Sequence, residues 1–331
     1  MKILITGNIF HNYEYSFKRA FEGLGHDVAL SFFNFEGPFY FGFQTIKWLK
    51  FGLLPHKLGI KYFLNKAIDK HNKEIKNLIQ NNDYDLLLVI KGLSIDPEIV
   101  SNFKGKKALW IFDSITRFPE LHDQIDNYTR VFSFEPSDVP YCKNELGKSI
   151  TFLPLAVDPE YYHPVKSPKK YELSFVGGRK PNREPFIKEI CGDYNFALIG
   201  DFYKSKDKRI KSRVIAKNAD HKFINELYNS TNVNLNIHKP QSKEAVNIRF
   251  FEILASGGGV QFVEPQKAFL DEFKDGEDLV YYHSKEELEK KLALYLNDEE
   301  KCREIAHNGY LKTINGHTWK HRAEKLLEAI K

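Results

Sequence analysis

Short apolar runs alternate with longer amphipathic ones along most of the chain, and no other feature restricts the fold as much. "KILITG" (2–7), "DVALSFF" (27–33), "LLLVIKG" (86–92), "KALWIFD" (107–113), "RVFSFE" (130–135) and "SITFLPLAV" (149–157) read as buried strands. Between the first two, "SFKRAFEGLGH" (16–26) reads as a helix with Phe17, Ala20, Phe21 and Leu24 on one face and Gly25 at its end. Strands separated by helical patterns predict a parallel, doubly wound α/β sheet. Residues 158–172 hold three prolines and no periodicity, so they read as a linker. The alternation then restarts with "LSFVGG" (173–178), "FALIGD" (196–201), "VNLNI" (233–237), "VQFVE" (260–264) and "DLVYY" (278–282). Helices are expected near 183–191, 221–229, 285–296 and 299–313. The expectation is two Rossmann-like domains, 1–160 and 170–317, facing a cleft. A last helix, 318–331, has Trp319, Ala323, Leu326, Leu327 and Ile330 at helical spacing.

Composition narrows the class. Of 331 residues, 42% are apolar and 28% charged, as in a soluble globular protein. No run of about 18 apolar residues is present. The start, "MKILITGN", is too short and too strand-like for a signal peptide. Cys142, Cys191 and Cys302 are scattered, as expected of reduced thiols in the cytoplasm. A net charge of +5 does not argue for a nucleic-acid partner.

One stretch concentrates chemistry. "EAVNIRFFEILASGGG" (244–259) fits a helix over Ala245–Ser256, with Val246, Phe250, Ile253 and Leu254 facing a core. Gly257 would end it, and Gly258 and Gly259 lead into the next strand. Glu244 stands at the amino end, and Arg249 and Glu252, three apart, share a face. Taken alone, the run is equally an ordinary helix with an i,i+3 ion pair and a glycine cap. "FVGGRKPNR" (175–183) sets Gly177 and Gly178 just after a strand, followed by Arg179, Lys180 and Arg183. Glycine admits close backbone approach to a phosphate, and the cations suit its charge. A plain βα turn with solvated charges is the other reading. Gly7 and the "NIFHN" after it do not make a dinucleotide fingerprint.

The segments "SFVGGRKPNRE", "LYNSTNVNLNIH", "NIRFFEILASGG" and "FKDGEDLVYYHSKEELEKKL" make the second half similar to the nucleotide-sugar domain of group 1 glycosyltransferases with the GT-B fold. Within them the chain resembles the spore-maturation-protein-like branch; "LLLVIKG", "LWIFDS" and "SITFLPLAVDPEYYHP" extend the likeness to the first half. The resemblance implies that Glu244 touches the transferred sugar and Glu252 takes the ribose hydroxyls, a diol for which a carboxylate is a suitable acceptor pair. It places Asn247 and Arg249 beside the nucleotide, and Arg183 with Arg179 or Lys180 on the diphosphate. It also implies that the last helix crosses back to the first domain.

Further candidates lie outside that stretch. Asp113 ends "WIFD", where relatives carry a polar residue near the transferred sugar; a helix N-cap at Asp113 or Ser114 is the plainer reading. His11 follows the first strand, where inverting relatives carry a base, and equally reads as a solvated loop histidine. His238 borders the nucleotide or is a hydrogen-bonded structural histidine. Asp83-Tyr84-Asp85 precedes its strand and reads as a turn, and no metal is expected. Residues 32–63 interleave aromatics with Lys47, Lys50, Lys57 and Lys61, and read either as packed core or as peripheral contact with the inner face of a membrane.

The whole reads as a metal-independent, retaining glycosyltransferase. Its donor is a nucleoside-diphosphate sugar, with UDP the expected nucleotide and no separate cofactor. Its acceptor is a cell-envelope glycan, a lipid-linked group or a protein. A nucleotide-sugar epimerase of the same fold and a non-catalytic binding protein are the rivals.

Overall fold

The computed structural model describes residues 1–9, 13–33, 60–238 and 243–331, with 60–64 as backbone only. His11 and residues 34–59 of the aromatic segment therefore lie outside the described residues. The chain divides into two compact units, Met1–Leu153 with Ala323–Lys331, and Pro154–Arg322.

The first unit contains β1 (Lys2–Asn8), α1 (Glu14–Glu22), β2 (Asp27–Phe33), α2 (Ile60–Gln80), β3 (Leu86–Ile90), α3 (Pro97–Asn102), β4 (Lys106–Ile111), β5 (Arg130–Ser133), α4 (Asp138–Glu145) and β6 (Thr151–Phe152). Its described strands form one parallel sheet in the order β2-β1-β3-β4-β5-β6. Every residue of β3, "LLLVI", is fully buried, as a strand covered by helices on both faces requires. Leu87, Val89, Leu109, Ile111 and Val131 pack with Ile99, Val100 and Ile125 in one core. At Gly7, φ is +139° and a Cβ would stand 2.1 Å from the Ile90 carbonyl oxygen, so only glycine lets β1 end this close to β3.

The second unit contains β7 (Tyr171–Val176), α5 (Arg183–Ile190), β8 (Phe196–Ile199), α6 (Lys208–Ser212), β9 (Val214–Ala216), α7 (His221–Asn229), β10 (Thr231–Asn236), α8 (Ile248–Ser256), β11 (Val260–Val263), β12 (Val280–Tyr281), α9 (Lys285–Tyr295), α10 (Glu299–Gly316) and the start of α11 (Trp319–Ala329). Its described strands form a second parallel sheet, β12-β11-β10-β7-β8-β9. From β7 the chain runs outward through β8 and β9, then returns to β10 on the other side and runs out through β11 and β12. The order reverses between β7 and β10, and the loops after those strands part at that point. Such a switch point opens a crevice at the carboxyl ends of the strands.

Three expectations need correction. The strand expected at 149–157 is only Thr151–Phe152, because Pro154 has no N–H for a ladder; Val157 instead bridges Thr318. The expected linker at 158–172 is a strap fastened to the second unit. Tyr162 is fully buried, its hydroxyl 2.9 Å from His221 Nδ1. Asn225 Oδ1 accepts the His163 N–H at 3.2 Å and Asn229 Oδ1 the Val165 N–H at 2.8 Å, so side-chain amides replace a ladder for this proline-interrupted backbone. The helix after Glu244 begins at Ile248, three residues later than its apolar pattern suggests, because Asn247 caps it.

The last helix straddles the division, with Ala323–Lys331 in the first unit. There, Lys106 Nζ donates to the Lys331 carbonyl at 3.1 Å and Arg130 Nε to the Ala329 carbonyl at 2.9 Å. Thr318 Oγ1 engages His321 Nδ1 at 2.7 Å.

Candidate functional site

The switch point of the second unit collects most of the residues singled out in the sequence. Gly177 and Gly178 follow β7, His238 stands two residues past β10, and Asn247, Arg249 and Glu252 lie on the cap and first two turns of α8. Asn247 is the anchor of this end of α8. Its Oδ1 accepts the Phe250 N–H at 3.2 Å, while its Nδ2 donates to Asn236 Oδ1 at 2.8 Å and to His238 Nδ1 at 3.1 Å. Gly257 closes the other end in the left-handed conformation, φ +63°. Val246, Phe250, Ile253 and Leu254 are buried, as their spacing predicts.

Glu252 is 1% exposed and ion-paired with Arg249, whose Nη1 also lies 3.5 Å from the Tyr162 hydroxyl on the strap. The two residues thus form a charged pair on the first turns of α8, with the carboxylate buried and the guanidinium half-buried. Glu244 is not at a helix end. It lies in the segment before the cap, its carboxylate 2.9 Å from Lys267 Nζ and its carbonyl accepting the Ala268 N–H at 3.1 Å.

Arg183 departs from its expected role on a diphosphate. It is 5% exposed, and its Nε and Nη2 donate to the Ile237 carbonyl at 3.2 and 2.6 Å, its Nη1 to the Gly178 carbonyl at 3.1 Å. The guanidinium ties the loop after β7 to the loop after β10 and lies over the Phe175 ring at 5.3 Å. Burial lowers its pKa, and Arg249 lowers it further while Glu264 raises it. Of the other two cations, Arg179 pairs with Glu184 at 2.7 Å and remains half-buried, and Lys180 is exposed. Gly177 could not carry a Cβ without crowding the ring of Phe175 and the Arg183 Nη1, at 3.0 and 3.2 Å.

Two residues at the same edge were not anticipated. Glu264 follows β11, and its Oε2 accepts the His238 backbone N–H at 3.3 Å; burial raises its carboxyl pKa, opposed by that bond and by Arg183. Tyr282 follows β12, fully buried, and burial pushes its phenol well up. Their signal is a polar residue just beyond an apolar strand, as in "QFVEP" and "LVYYH". His238 itself is 3% exposed, and burial, then Arg183, lowers its pKa to about 4.

Asp113 belongs to a different cavity, in the first unit. About 310 Å³ in volume, it is lined by Asn8, Ile9, Lys91, Leu93, Ile111, Asp113 and Phe118 at the carboxyl ends of β1, β3 and β4. Asp113 does not cap a helix: it pairs with Arg117 at 2.6 Å. The buried Asp138 does the capping, accepting the Ile115 N–H at 2.9 Å and the hydroxyls of Ser114 and Ser133 at 2.7 and 2.6 Å. Lys91 holds φ +68°, a conformation that costs a non-glycine residue about 1–3 kcal/mol and concentrates at functional sites.

Comparison with known proteins bears on both units. Residues 179–328 match a family model described as glycosyl transferase-like. No curated protein matches the sequence. Among solved structures, the chain is similar to sucrose-phosphate synthase from Thermosynechococcus elongatus (13% identity, 99% of this chain and 98% of that one, TM-score 0.69). An alpha-glucosyltransferase solved with UDP-glucose and DNA containing an abasic site is similar over 100% and 99% of the two chains (11% identity, TM-score 0.70). Anabaena HepE with UDP-glucose is similar over 99% and 100% (12% identity, TM-score 0.64). The second unit is thus glycosyl transferase-like in sequence, the whole chain carries the fold of the GT-B glycosyltransferases, and the protein is an enzyme of the glycosyltransferase class.

Proposed function

We propose that the protein transfers a sugar from a nucleoside-diphosphate sugar, whose nucleotide is held in the second unit at the carboxyl ends of β7 and β10. The observation that carries this reading is the gathering of Asn247, His238, Arg249 and Glu252 beside the Gly177–Gly178 turn, at the point where the strand order reverses. Glu252 takes the ribose diol, and Arg249 pairs with its carboxylate. Arg179 and Lys180, the cations left accessible in the glycine turn, receive the diphosphate. Arg183 holds that turn in shape from below. Positive groups aimed at the leaving diphosphate stabilise the charge that develops on it, with no metal called for. UDP is the nucleotide of choice, supported by the UDP-glucose found with HepE and with the alpha-glucosyltransferase.

The acceptor is assigned to the first unit, at the cavity of Asp113, Lys91 and Asn8. A glycan of the cell envelope, a lipid-linked group and a protein all remain in the acceptor class. The resemblance to retaining relatives, which carry two glutamates at the spacing of Glu244 and Glu252, supports retention of configuration, and the resemblance likewise supports the spore-maturation-protein-like branch. The assigned location is the cytoplasm, at the inner face of the membrane; no helix among the described residues is long and apolar enough to cross one.

A thermal-shift panel of UDP, GDP, TDP and ADP tests the donor site. A ligand at a hundred times its dissociation constant adds about 2.7 kcal/mol of stability. Calorimetry with Glu252→Gln then tests the residue: loss of a charged hydrogen-bond acceptor should weaken the bound nucleotide by about 1.5–3 kcal/mol. Unchanged affinity in a folded variant would remove Glu252 from the site.

A further inference from the structure

We propose that His238 is a neutral Nε2–H donor that receives an oxygen of the bound nucleoside diphosphate, with its tautomer set by the cap of α8. This rests on the donor reading above and assigns a further group to that site. The argument begins with Asn247. Because its side chain accepts the Phe250 N–H, the atom at the helix end must be the amide oxygen. The amide nitrogen therefore faces Asn236 Oδ1 and His238 Nδ1. An NH₂ group can only donate, so Nδ1 must offer a lone pair, and a neutral imidazole with a bare Nδ1 carries its proton on Nε2.

That Nε2 is buried and, among the described residues, has no hydrogen-bond partner. Three neighbouring groups are otherwise occupied. Glu264 accepts the His238 backbone N–H, Asn182 Nδ2 donates to the His238 carbonyl at 3.2 Å, and Arg183 is bound to two carbonyls. A buried donor left unpaired is costly and uncommon in a folded protein. This one stands at the end of β10, on the switch point, where a ligand oxygen would satisfy it. A phosphate oxygen and a base carbonyl offer the same chemistry. A cation is excluded from this role because burial and Arg183 both disfavour the imidazolium. Asn247 is then a positioning residue that acts through His238.

Long-range proton–nitrogen spectra of protein carrying ¹⁵N-histidine test this at neutral pH. The expected result is the Nε2–H form for His238 in the free protein, with its Nε2 resonance moving on addition of UDP. The Nδ1–H form, an imidazolium, or an unmoved Nε2 would overturn the proposal. Movement with uridine assigns the oxygen to the nucleoside, and movement with pyrophosphate to the diphosphate; either supports it. Asn247→Asp supplies an independent arm, since aspartate caps a helix as well as asparagine but presents an acceptor to Nδ1. The proton must then move to Nδ1, and Nε2 keeps one only as imidazolium. Relative to wild type, UDP affinity of the variant should fall about tenfold as pH rises through the imidazole range. Parallel pH profiles would refute the tautomer mechanism. UDP that fails to bind the wild-type protein at all would instead sink the donor reading, and this inference with it.

Discussion

Acidification should destabilise the second unit through His238, by an amount the structure sets. The ring is 3% exposed, and burial, then Arg183, lowers its pKa to about 4. In the unfolded chain the same imidazole titrates near 6.5. A group with a depressed native pKa contributes stability above its unfolded pKa and loses it as pH falls towards the native one. Proton linkage gives a loss of about 2 kcal/mol between pH 7 and 5, rising to about 3 at lower pH. His238→Gln removes the titration and leaves the other groups in place. Glu264, whose carboxyl is raised by burial, contributes with the opposite sign in both proteins and largely cancels in the comparison. Hydrogen exchange of the β10 amides is the suitable assay, because it reads the opening of this unit and not of the whole chain. The wild type should lose about 2 kcal/mol more than the variant on going from pH 7 to 5. Equal losses would mean that His238 accepts a proton without penalty, and the account of a buried, neutral imidazole would be wrong.

Other expectations concern the turn, the metal and the last helix. At Gly200, φ is +138° and a Cβ would lie 2.1 Å from the Gly177 carbonyl oxygen. Gly200→Ala should therefore cost about 1–3 kcal/mol from backbone strain alone, and displace the glycine turn enough to weaken UDP binding; an unchanged melting temperature would count against the strain. Transfer activity should survive chelation by EDTA, since arginine and lysine are assigned to the diphosphate, and loss restored by magnesium would overturn that assignment. Removing residues 323–331 strips the buried Leu326 and Ile330 from the first unit, about 1.5–3 kcal/mol each, and should lower that unit's unfolding midpoint. An unaltered midpoint would show that these side chains stabilise nothing there.

The sequence by itself determined the elements and their order. Continuous apolar runs such as "LLLVI" belong to strands covered on both faces, and their alternation with helical patterns allows little but two parallel sheets. It also determined the apolar face of α8 and the turn that ends it, because Gly257 is a local signal of a left-handed cap. The start of α8 is legible too, in the asparagine before Ile248, although the apolar pattern runs back through Ala245 and Val246. What only the tertiary structure decided are the partners of the polar groups. Arg183 reads as a phosphate cation until β10, more than forty residues later, ends with a carbonyl at its guanidinium. The cap that was one of two readings of Asp113 is lost to Asp138, which from the far side of β5 takes the N–H Asp113 would have bound. The proline-rich strap reads as a linker until Asn225 and Asn229 of α7 fasten it. His238 has a tautomer only once a helix cap, nine residues on, turns an amide towards it. Burial pattern is periodic along the chain and so can be read from it, whereas a hydrogen bond depends on which chain ends the sheet brings together.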